Sequence, residues 1–241
     1  YPVKGYSLTI QITDEQRAKE IIQQTLGSGL IYLNSHASDW GNPDIRPYLD
    51  QYVRGSNGIA AIEINVSCPN IKEGGISFGT DVKSLANVVS AVRAATSLPL
   101  ITKLSPNVTR IADFARAAED AGSDMISLIN TIPAMAIDIE TRRPKLANVT
   151  GGLSGPCIKP VAVKMVYEAA KAVRIPVIGM GGITCGADAV EFLLAGASAV
   201  AVGTAIFADP LAPVRVIREL NEWLDAHGVK SVSEIIGRVA V

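Results

Sequence analysis

The sequence is poor in histidine and cysteine, and each scarcity excludes a class of protein. It has two histidines, His36 and His227, so a three-histidine metal site is excluded. The three cysteines, Cys68, Cys157 and Cys185, form no CxxC pair and are too few for a disulfide scaffold. We therefore expect no metal site, and a reducing, cytoplasmic compartment.

Long apolar runs, excess charge and an initiator methionine are also missing. No run reaches the about 18 apolar residues that a transmembrane helix needs. A net charge of −1 gives no basic footprint for a nucleic acid. The first residues, Tyr1-Pro2-Val3-Lys4, lack the pattern of a signal peptide. Because methionine does not come first, we expect a fragment, a processed form or an engineered form.

The 241 residues, 48% of them hydrophobic, suffice for two small domains or for one α/β barrel. Apolar strands alternate with helices along most of the chain, which predicts a parallel sheet covered on both faces. A doubly wound sheet fits this pattern, but two glycine motifs after the last strands favour a (β/α)8 TIM barrel, whose phosphate site lies there. Strands are predicted at 6–12, 30–33, from 61 to near 68, 99–104, 125–129, 176–179 and 199–202. Helices are predicted at 13–26, 45–53, 81–95, 108–121, 160–173, 187–195, 211–226 and 232–237, and a β-hairpin over 135–149 with its turn at 141–144.

The segment 61–70 combines an apolar strand with a polar end. Pro69 cannot continue a sheet ladder, so the strand must end near Cys68. Asn65 and Asn70 offer hydrogen bonds, and the thiol of Cys68 can take a proton. Two interpretations stay open from this segment alone: a functional strand end, or turn residues beside a buried free thiol.

Other predicted strands also end in polar or glycine residues, which a barrel would gather at one rim. Lys103 emerges from an apolar strand, where it would bind a negative partner or form a buried ion pair. Backbone N–H groups of glycine loops can approach phosphate oxygens closely. These strand-end residues are Asn34, Asn65, Cys68, Lys103, Asn130, Thr131, Gly181, Gly182, Gly203 and Thr204.

Several long motifs in this order resemble the class 1 dihydroorotate dehydrogenases, the B subtype in particular. They are Asn65-Val66-Ser67-Cys68-Pro69-Asn70, Lys103-Leu104-Ser105-Pro106-Asn107, Ile129-Asn130-Thr131, Thr150-Gly151-Gly152-Leu153-Ser154-Gly155, Gly179-Met180-Gly181-Gly182 and Val202-Gly203-Thr204. The resemblance covers about residues 59–241. It implies one FMN-binding (β/α)8 barrel domain that oxidises dihydroorotate to orotate in pyrimidine biosynthesis.

The resemblance also implies roles for individual residues. Cys68 would be the base that takes the C5 proton, while the C6 hydride passes to N5 of FMN. A free thiol has a pKa of about 8.5, so activity should rise with pH unless the site lowers that pKa. The implied substrate-binding residues are Lys4, Asn65, Asn70, Asn130 and Thr131, and the implied FMN-binding residues are Lys4, Gly5, Asn34, Asn65, Lys103, Ile129, Gly155, Gly181, Gly182, Gly203 and Thr204.

The implied partners are a second copy of the chain, in a homodimer, and an electron-transfer subunit that carries FAD and a 2Fe–2S cluster and passes electrons to NAD. Residues 1–58 depart from the family, and its usual first strand and substrate loop are not found there. Three interpretations stay open: replacement strands from this segment, an engineered, chimeric or shortened variant without full flavin binding, or a strand from another chain. A flavin-free phosphate-binding lyase or isomerase and a non-enzymatic scaffold are the competing functions.

Overall fold

A computed structural model of the chain describes residues 9–11, 31–36, 59–66 and 79–240. The predicted helices at 13–26 and 45–53 lie outside these residues. Contacts divide the chain into two units, 1–103 with 116–126, and 104–115 with 127–241. The division falls inside strand β5 (Met125–Leu128) and helix α2 (Ile111–Asp120), so each contributes residues to both units.

The first unit contains a parallel sheet in the order β1-β2-β3-β4. Its strands are β1 (Thr9–Gln11), β2 (Ile31–His36), β3 (Ile59–Asn65) and β4 (Leu100–Lys103). Ile10, Leu33, Ile62 and Leu100 pair in one row across these strands. The predicted strands at 6–12 and 30–33 are thereby confirmed where the structure describes them, and they pair in parallel with the remainder of this sheet.

Helix α1 (Val82–Ala95) belongs to the same unit and follows the predicted bounds closely. Asp81 caps its N-terminus, since its carboxylate accepts a hydrogen bond from the backbone N–H of Ser84 at 2.8 Å. Leu85, Val89 and Val92 recur at helical spacing and are fully buried. The apolar stripe in the sequence thus became the face that packs into the core.

The second unit contains β10 (Val177–Met180) and β11 (Ala199–Ala201), which pair in parallel, and its strand order is β5-β10-β11. Its helices are α3 (Lys159–Ala172), α4 (Gly186–Ala195), α5 (Ala205–Ala208) and α6 (Ala212–Ala226), with 3₁₀ turns at Pro156–Ile158 and Val232–Glu234. A cluster of Val190, Leu193, Leu224 and Ile235 packs α4 against α6 and the C-terminal turn.

The excursion after β5 consists of two antiparallel pairs. Strand β6 (Ile132–Ala134) pairs with β9 (Gly151–Leu153), and β7 (Ile137–Asp138) pairs with β8 (Arg143–Pro144). The predicted hairpin is confirmed, but its predicted turn at 141–144 is wrong. Asp138 accepts hydrogen bonds from the backbone N–H groups of Glu140 and Thr141, so the turn starts earlier in the chain.

The predicted last helix at 232–237 is also wrong, because the structure has a single 3₁₀ turn there. The carboxylate of Glu234 accepts from the backbone N–H groups of Lys230 and Ser231, and Gly237 at φ +69° ends the turn. The four-residue helix α5 was not predicted. None of the helices within the described ranges combines the length and hydropathy needed to cross a bilayer.

Candidate cofactor and substrate site

Three glycines of the second unit lie where the loop after β10 meets the segment that precedes α3. Their φ values, +88° for Gly155, +125° for Gly181 and +85° for Gly182, are ones that residues other than glycine rarely adopt. A Cβ on Gly182 would lie 2.7 Å from the carbonyl oxygen of Gly155. We call these three residues the glycine cradle. A Cβ on Gly182 would therefore clash with the opposite backbone segment, whereas a Cβ on Gly155 would meet its nearest atom only at 3.8 Å.

Ile129 packs against this glycine cradle. Its backbone N–H donates to the carbonyl of Met180 at 2.9 Å, which joins the ends of β5 and β10. A Cβ on Gly181 would come within 3.3 Å of the Ile129 side chain and within 3.1 Å of Ala162 on α3. Ile129 is 3% exposed, so its side chain supports the cradle from the core side.

The other predicted phosphate-binding pair, Gly203 and Thr204, follows strand β11. A Cβ on Gly203 would meet no atom within 4 Å, so open space lies beside this residue. The hydroxyl of Thr204 lies 3.8 Å from the position that a Cβ on Gly155 would take. The structure therefore brings the segment after β11 next to the glycine cradle, as the barrel prediction requires.

Asn130 and Thr131 lie at the end of β5, beside Ser105 and Asn107, two residues of a quoted motif to which the sequence analysis gave no role. The side-chain oxygen of Asn130 accepts from the backbone N–H of Thr131 at 2.7 Å. The amide of Asn107 donates to the carbonyl of Thr131 at 3.3 Å, and Ser105 in turn accepts from that amide at 3.3 Å. A Cβ on Gly152 would lie 2.3 Å from the Thr131 hydroxyl. These contacts fix Thr131 in one orientation.

In the first unit, Asn65 and Lys103 are register partners at the ends of the neighbouring parallel strands β3 and β4. Both side chains are half-buried. No salt bridge joins the Lys103 ammonium to another side chain in the part of the chain that the structure describes. Asn34 is the register partner of Glu63 within β2 and β3. The remaining predicted residues, Lys4, Gly5, Cys68 and Asn70, lie outside the described residues.

A cluster of charged side chains, which the sequence analysis missed, lies directly behind the glycine cradle. The ammonium of Lys159 is 2.7 Å from one carboxylate oxygen of Asp188 and 2.9 Å from Glu191. The other oxygen of Asp188 accepts from the backbone N–H and hydroxyl of Thr184, both at 2.8 Å, and from the N–H of Cys185 at 3.2 Å.

These contacts determine the pKa values of the pair. Burial disfavours the charged form of Asp188, but the hydrogen bonds from Lys159, Thr184 and Cys185 outweigh it and hold the pKa of that carboxyl well below its usual value. The hydrogen bonds to Asp188 and Glu191 raise the pKa of Lys159 to about 12. Both members of the pair are therefore charged at neutral pH.

Two side chains of helix α6 bind the backbone of residues 184–186, the segment that Asp188 also contacts. Arg215 donates to the carbonyl of Thr184 at 2.9 Å and binds Asp209 at 3.1 Å. The carboxylate of Glu219 accepts from the backbone N–H of Gly186 at 2.7 Å. We call Lys159, Asp188, Arg215 and Glu219 the charged clamp. The spacing Cys185 to Asp188, typical of a helix start with an acidic third residue, was the one sequence signal for it.

The glycine cradle suits the phosphate end of FMN. Phosphate binding needs backbone N–H groups that the ligand can approach closely, and glycines with positive φ provide such an approach. The cradle has three such glycines, and open space lies beside Gly203. The described residues include no group of three or more His, Cys, Asp or Glu side chains that could hold a metal ion.

Comparison with known structures defines the fold. A crystal structure of DHODH from Eimeria tenella, in complex with ferulenol, superposes with a TM-score of 0.71 over 92% of this chain and 66% of that chain. Its sequence is 24% identical, so the likeness concerns the fold alone. The fold is that of a TIM barrel, as the sequence predicts.

Comparison of sequences then defines the family. The family model of dihydroorotate dehydrogenase matches residues 41–224, and the chain belongs to this family. Proteins of Citrifermentans bemidjiense and Bacteroides fragilis, each named dihydroorotate dehydrogenase B (NAD(+)), catalytic subunit, are 58% identical over 183 residues. The resemblance predicted from the motifs is thereby confirmed.

Two further findings concern the extent of the match. The aligned part is 76% of this chain and 60% of each of these relatives, so the chain spans about three fifths of their length. A second family model, 4-hydroxyphenylacetate 3-hydroxylase C terminal, matches residues 11–64. This match overlaps the segment that we found to depart from the dehydrogenase pattern.

Proposed function

We propose that the chain catalyses the FMN-dependent oxidation of (S)-dihydroorotate to orotate, a step of de novo pyrimidine (UMP) biosynthesis, in the cytoplasm. The observation that carries this proposal is the grouping of three positive-φ glycines, Gly155, Gly181 and Gly182, near the open space beside Gly203, a combination typical of backbone sites that bind phosphate. Membership of the dihydroorotate dehydrogenase family supports the substrate and the reaction.

The residues at the ends of the strands divide between the two ligands. Gly203 and Thr204, with the glycine cradle, hold the phosphate and ribityl chain of FMN, while Ile129 supports the cradle from the core. Thr131 and Asn130 hold the ring and carboxylate of the substrate. The hydrogen bond from the backbone N–H of Thr131 to the side-chain oxygen of Asn130 orients the Asn130 side chain. Lys4, Asn65 and Asn70 complete the substrate contacts, and Lys4, Gly5, Asn34 and Asn65 complete those to FMN.

The chemistry needs one proton and one hydride to leave the substrate. The thiolate of Cys68 removes the proton from C5, so that this residue must be deprotonated before turnover. FMN, which Gly203, Thr204 and the glycine cradle would hold, would supply the acceptor for the hydride that leaves C6 of the substrate. Lys103 supplies positive charge near the flavin ring, where the strand register sets it beside Asn65.

The electrons then pass to a partner subunit. The relatives' name, catalytic subunit, supports a second subunit, which we propose carries FAD and a 2Fe–2S cluster and passes electrons to NAD.

We also propose that two copies of the chain form a homodimer. Its support is the exposed apolar surface of the hairpin region, where Ile139 is 81% and Ile137 54% exposed, because such surface is typical of a contact with another chain.

Replacement of the proposed base tests the mechanism. Cys68→Ser keeps the size of the side chain but removes the acidic thiol, so turnover of dihydroorotate should fall about 100-fold or more. Cys157→Ser is the matched control, because Cys157 is a free, exposed thiol and its loss should leave turnover unchanged. Unchanged turnover in Cys68→Ser would show that Cys68 is not the base.

A second candidate function is a barrel that keeps the fold without full flavin binding. The match of residues 11–64 to a different family model favours it, since the family's own first strand and substrate loop are not found in this region. A phosphate-binding lyase or isomerase would also use the glycine cradle but would leave Cys68 without a role. Retention of FMN by the purified chain separates the dehydrogenase from both alternatives.

A further inference from the structure

Thr184, in the segment that follows the glycine cradle, is bonded to charged side chains at its N–H, its hydroxyl and its carbonyl. Thr184, two residues after Gly182, gives its N–H and hydroxyl to Asp188 and receives Arg215 at its carbonyl. These are ionic hydrogen bonds, which are about twice as strong as neutral ones. The end of the glycine loop is thus attached to helices α4 and α6.

Lys159 attaches the same loop at a second point. Its Cβ lies 2.9 Å and its backbone nitrogen 3.1 Å from the position that a Cβ on Gly182 would occupy. Its ammonium, at the other end of the side chain, bonds Asp188. One residue therefore contacts the glycine directly and, through Asp188, also fixes Thr184.

The side chains of Lys159 and Asp188 are largely shielded from solvent, so water competes little for their ion pair. The side chain of Lys159 is 23% exposed and that of Asp188 is 11% exposed, in contrast to the open pairs on the helix surfaces. Without the charge of Asp188, Lys159 would keep only the more exposed Glu191, and Thr184 would lose its ionic acceptor. Without the ammonium of Lys159, the Asp188 carboxylate would keep only the neutral donors of Thr184 and Cys185.

We propose that the Lys159–Asp188 pair positions the glycine cradle for the phosphate of the flavin, and so sets the preference for FMN over riboflavin. This inference rests on the proposed function. Two successive glycines have wide conformational freedom, so an external restraint is needed to hold their N–H groups ready for a ligand. Neither side chain needs to touch the flavin, so both are positioning residues.

The test compares flavin binding among variants by fluorescence titration. Lys159→Met removes the ammonium and keeps the apolar stem, Asp188→Asn removes the charge of the partner, and Lys159→Arg restores a cation. Lys164→Met is the matched control, because Lys164 lies on the same helix in an exposed pair with Glu168 at 2.9 Å. Each protein is titrated with FMN and with riboflavin, which lacks the phosphate.

We expect Lys159→Met and Asp188→Asn to bind FMN about tenfold more weakly, at the lower end of the loss seen when orienting groups are removed from metal sites. Riboflavin binding should stay unchanged, Lys159→Arg should recover most of the FMN affinity, and Lys164→Met should match the parent protein. Equal losses for FMN and riboflavin, or no loss for FMN, would overturn the proposal.

A second measurement separates this inference from the proposed function. If the parent protein binds no flavin, the proposed function fails, but amide hydrogen exchange still tests the pair. We expect the amides of Gly181, Gly182 and Thr184 to exchange faster in Asp188→Asn than in the parent protein, with Lys164→Met unchanged. Equal exchange in all three proteins would overturn the positioning role.

Discussion

Replacement of Gly182 by alanine tests the glycine cradle most sharply. At φ +85° an alanine is strained, and its Cβ would lie 2.7 Å from the carbonyl oxygen of Gly155 and 2.9 Å from the Cβ of Lys159. A side-chain end could move away, but the oxygen belongs to the backbone of the opposite segment. Gly182→Ala must therefore separate the two segments of the cradle.

The expected cost has two parts. The left-handed backbone of an alanine costs about 1–2 kcal/mol. Displacement of a packed segment adds about 1–3 kcal/mol. The sum of about 2–5 kcal/mol corresponds to a fall in Tm of about 4–20 °C for a chain of this size. The same displacement should weaken FMN binding, since the backbone would no longer meet the phosphate.

Thermal melts without flavin, followed by titration with FMN, measure the two effects. Gly228→Ala is the matched control, because Gly228 has φ +66° but nothing lies within 4 Å of its Cβ position. It should show the strain alone, a fall of about 2–8 °C, and unchanged FMN affinity. If Gly182→Ala melts and binds FMN as Gly228→Ala does, the close approach of the cradle has no structural role.

Three further variants test other contacts. Because the pKa of Asp188 lies below its unfolded-state value of about 3.9, its stabilisation is present above that pH and is lost as pH falls. Asp188→Asn should therefore flatten the acid side of the stability profile in urea melts, and an unchanged profile would contradict this. Phe192→Ala empties a fully buried site and should cost about 3–5 kcal/mol in denaturant unfolding, so a loss below about 1 kcal/mol would be inconsistent with its packing. Gly152→Ala should displace the hydroxyl of Thr131 and raise the KM for dihydroorotate, and an unaltered KM would argue against a substrate contact there.

The elements that the sequence predicted best are those with one dominant local signal. Helix α1 has a capping aspartate, Asp81, and a regular apolar stripe, so its bounds were correct within one residue. Strand β4 is a short apolar run bounded by polar residues, and its prediction was equally close. In both cases burial follows directly from the order of apolar residues.

The errors lie where a single side chain decides the backbone path. The turn of the hairpin lies earlier than predicted because the carboxylate of Asp138 accepts a hydrogen bond from the backbone N–H of Thr141. The hydrophobic periodicity of the sequence does not indicate this contact. The segment after Ser231 formed a 3₁₀ turn, since Glu234 bonds backward and Gly237 ends it. Such side-chain to backbone hydrogen bonds offer the backbone an alternative to the hydrogen bonds of a helix.

The candidate site was predictable for a different reason. Glycine and asparagine at strand ends are visible in the sequence, and the second unit brings Ile129, Gly155, Gly181 and Gly182 together as expected. The charged clamp was not predictable, because its members come from three helices separated by tens of residues and look like ordinary surface charges. Their role emerges only from distances between side chains.

The central claim is that the chain binds FMN and reduces it with dihydroorotate. An absorption spectrum of the purified chain, recorded before and after addition of FMN and removal of the excess, tests it directly. We predict a bound flavin band that bleaches when dihydroorotate is added. A chain that unfolds cooperatively but retains no flavin would contradict the account, and would show that the fold persists here without the dehydrogenase function.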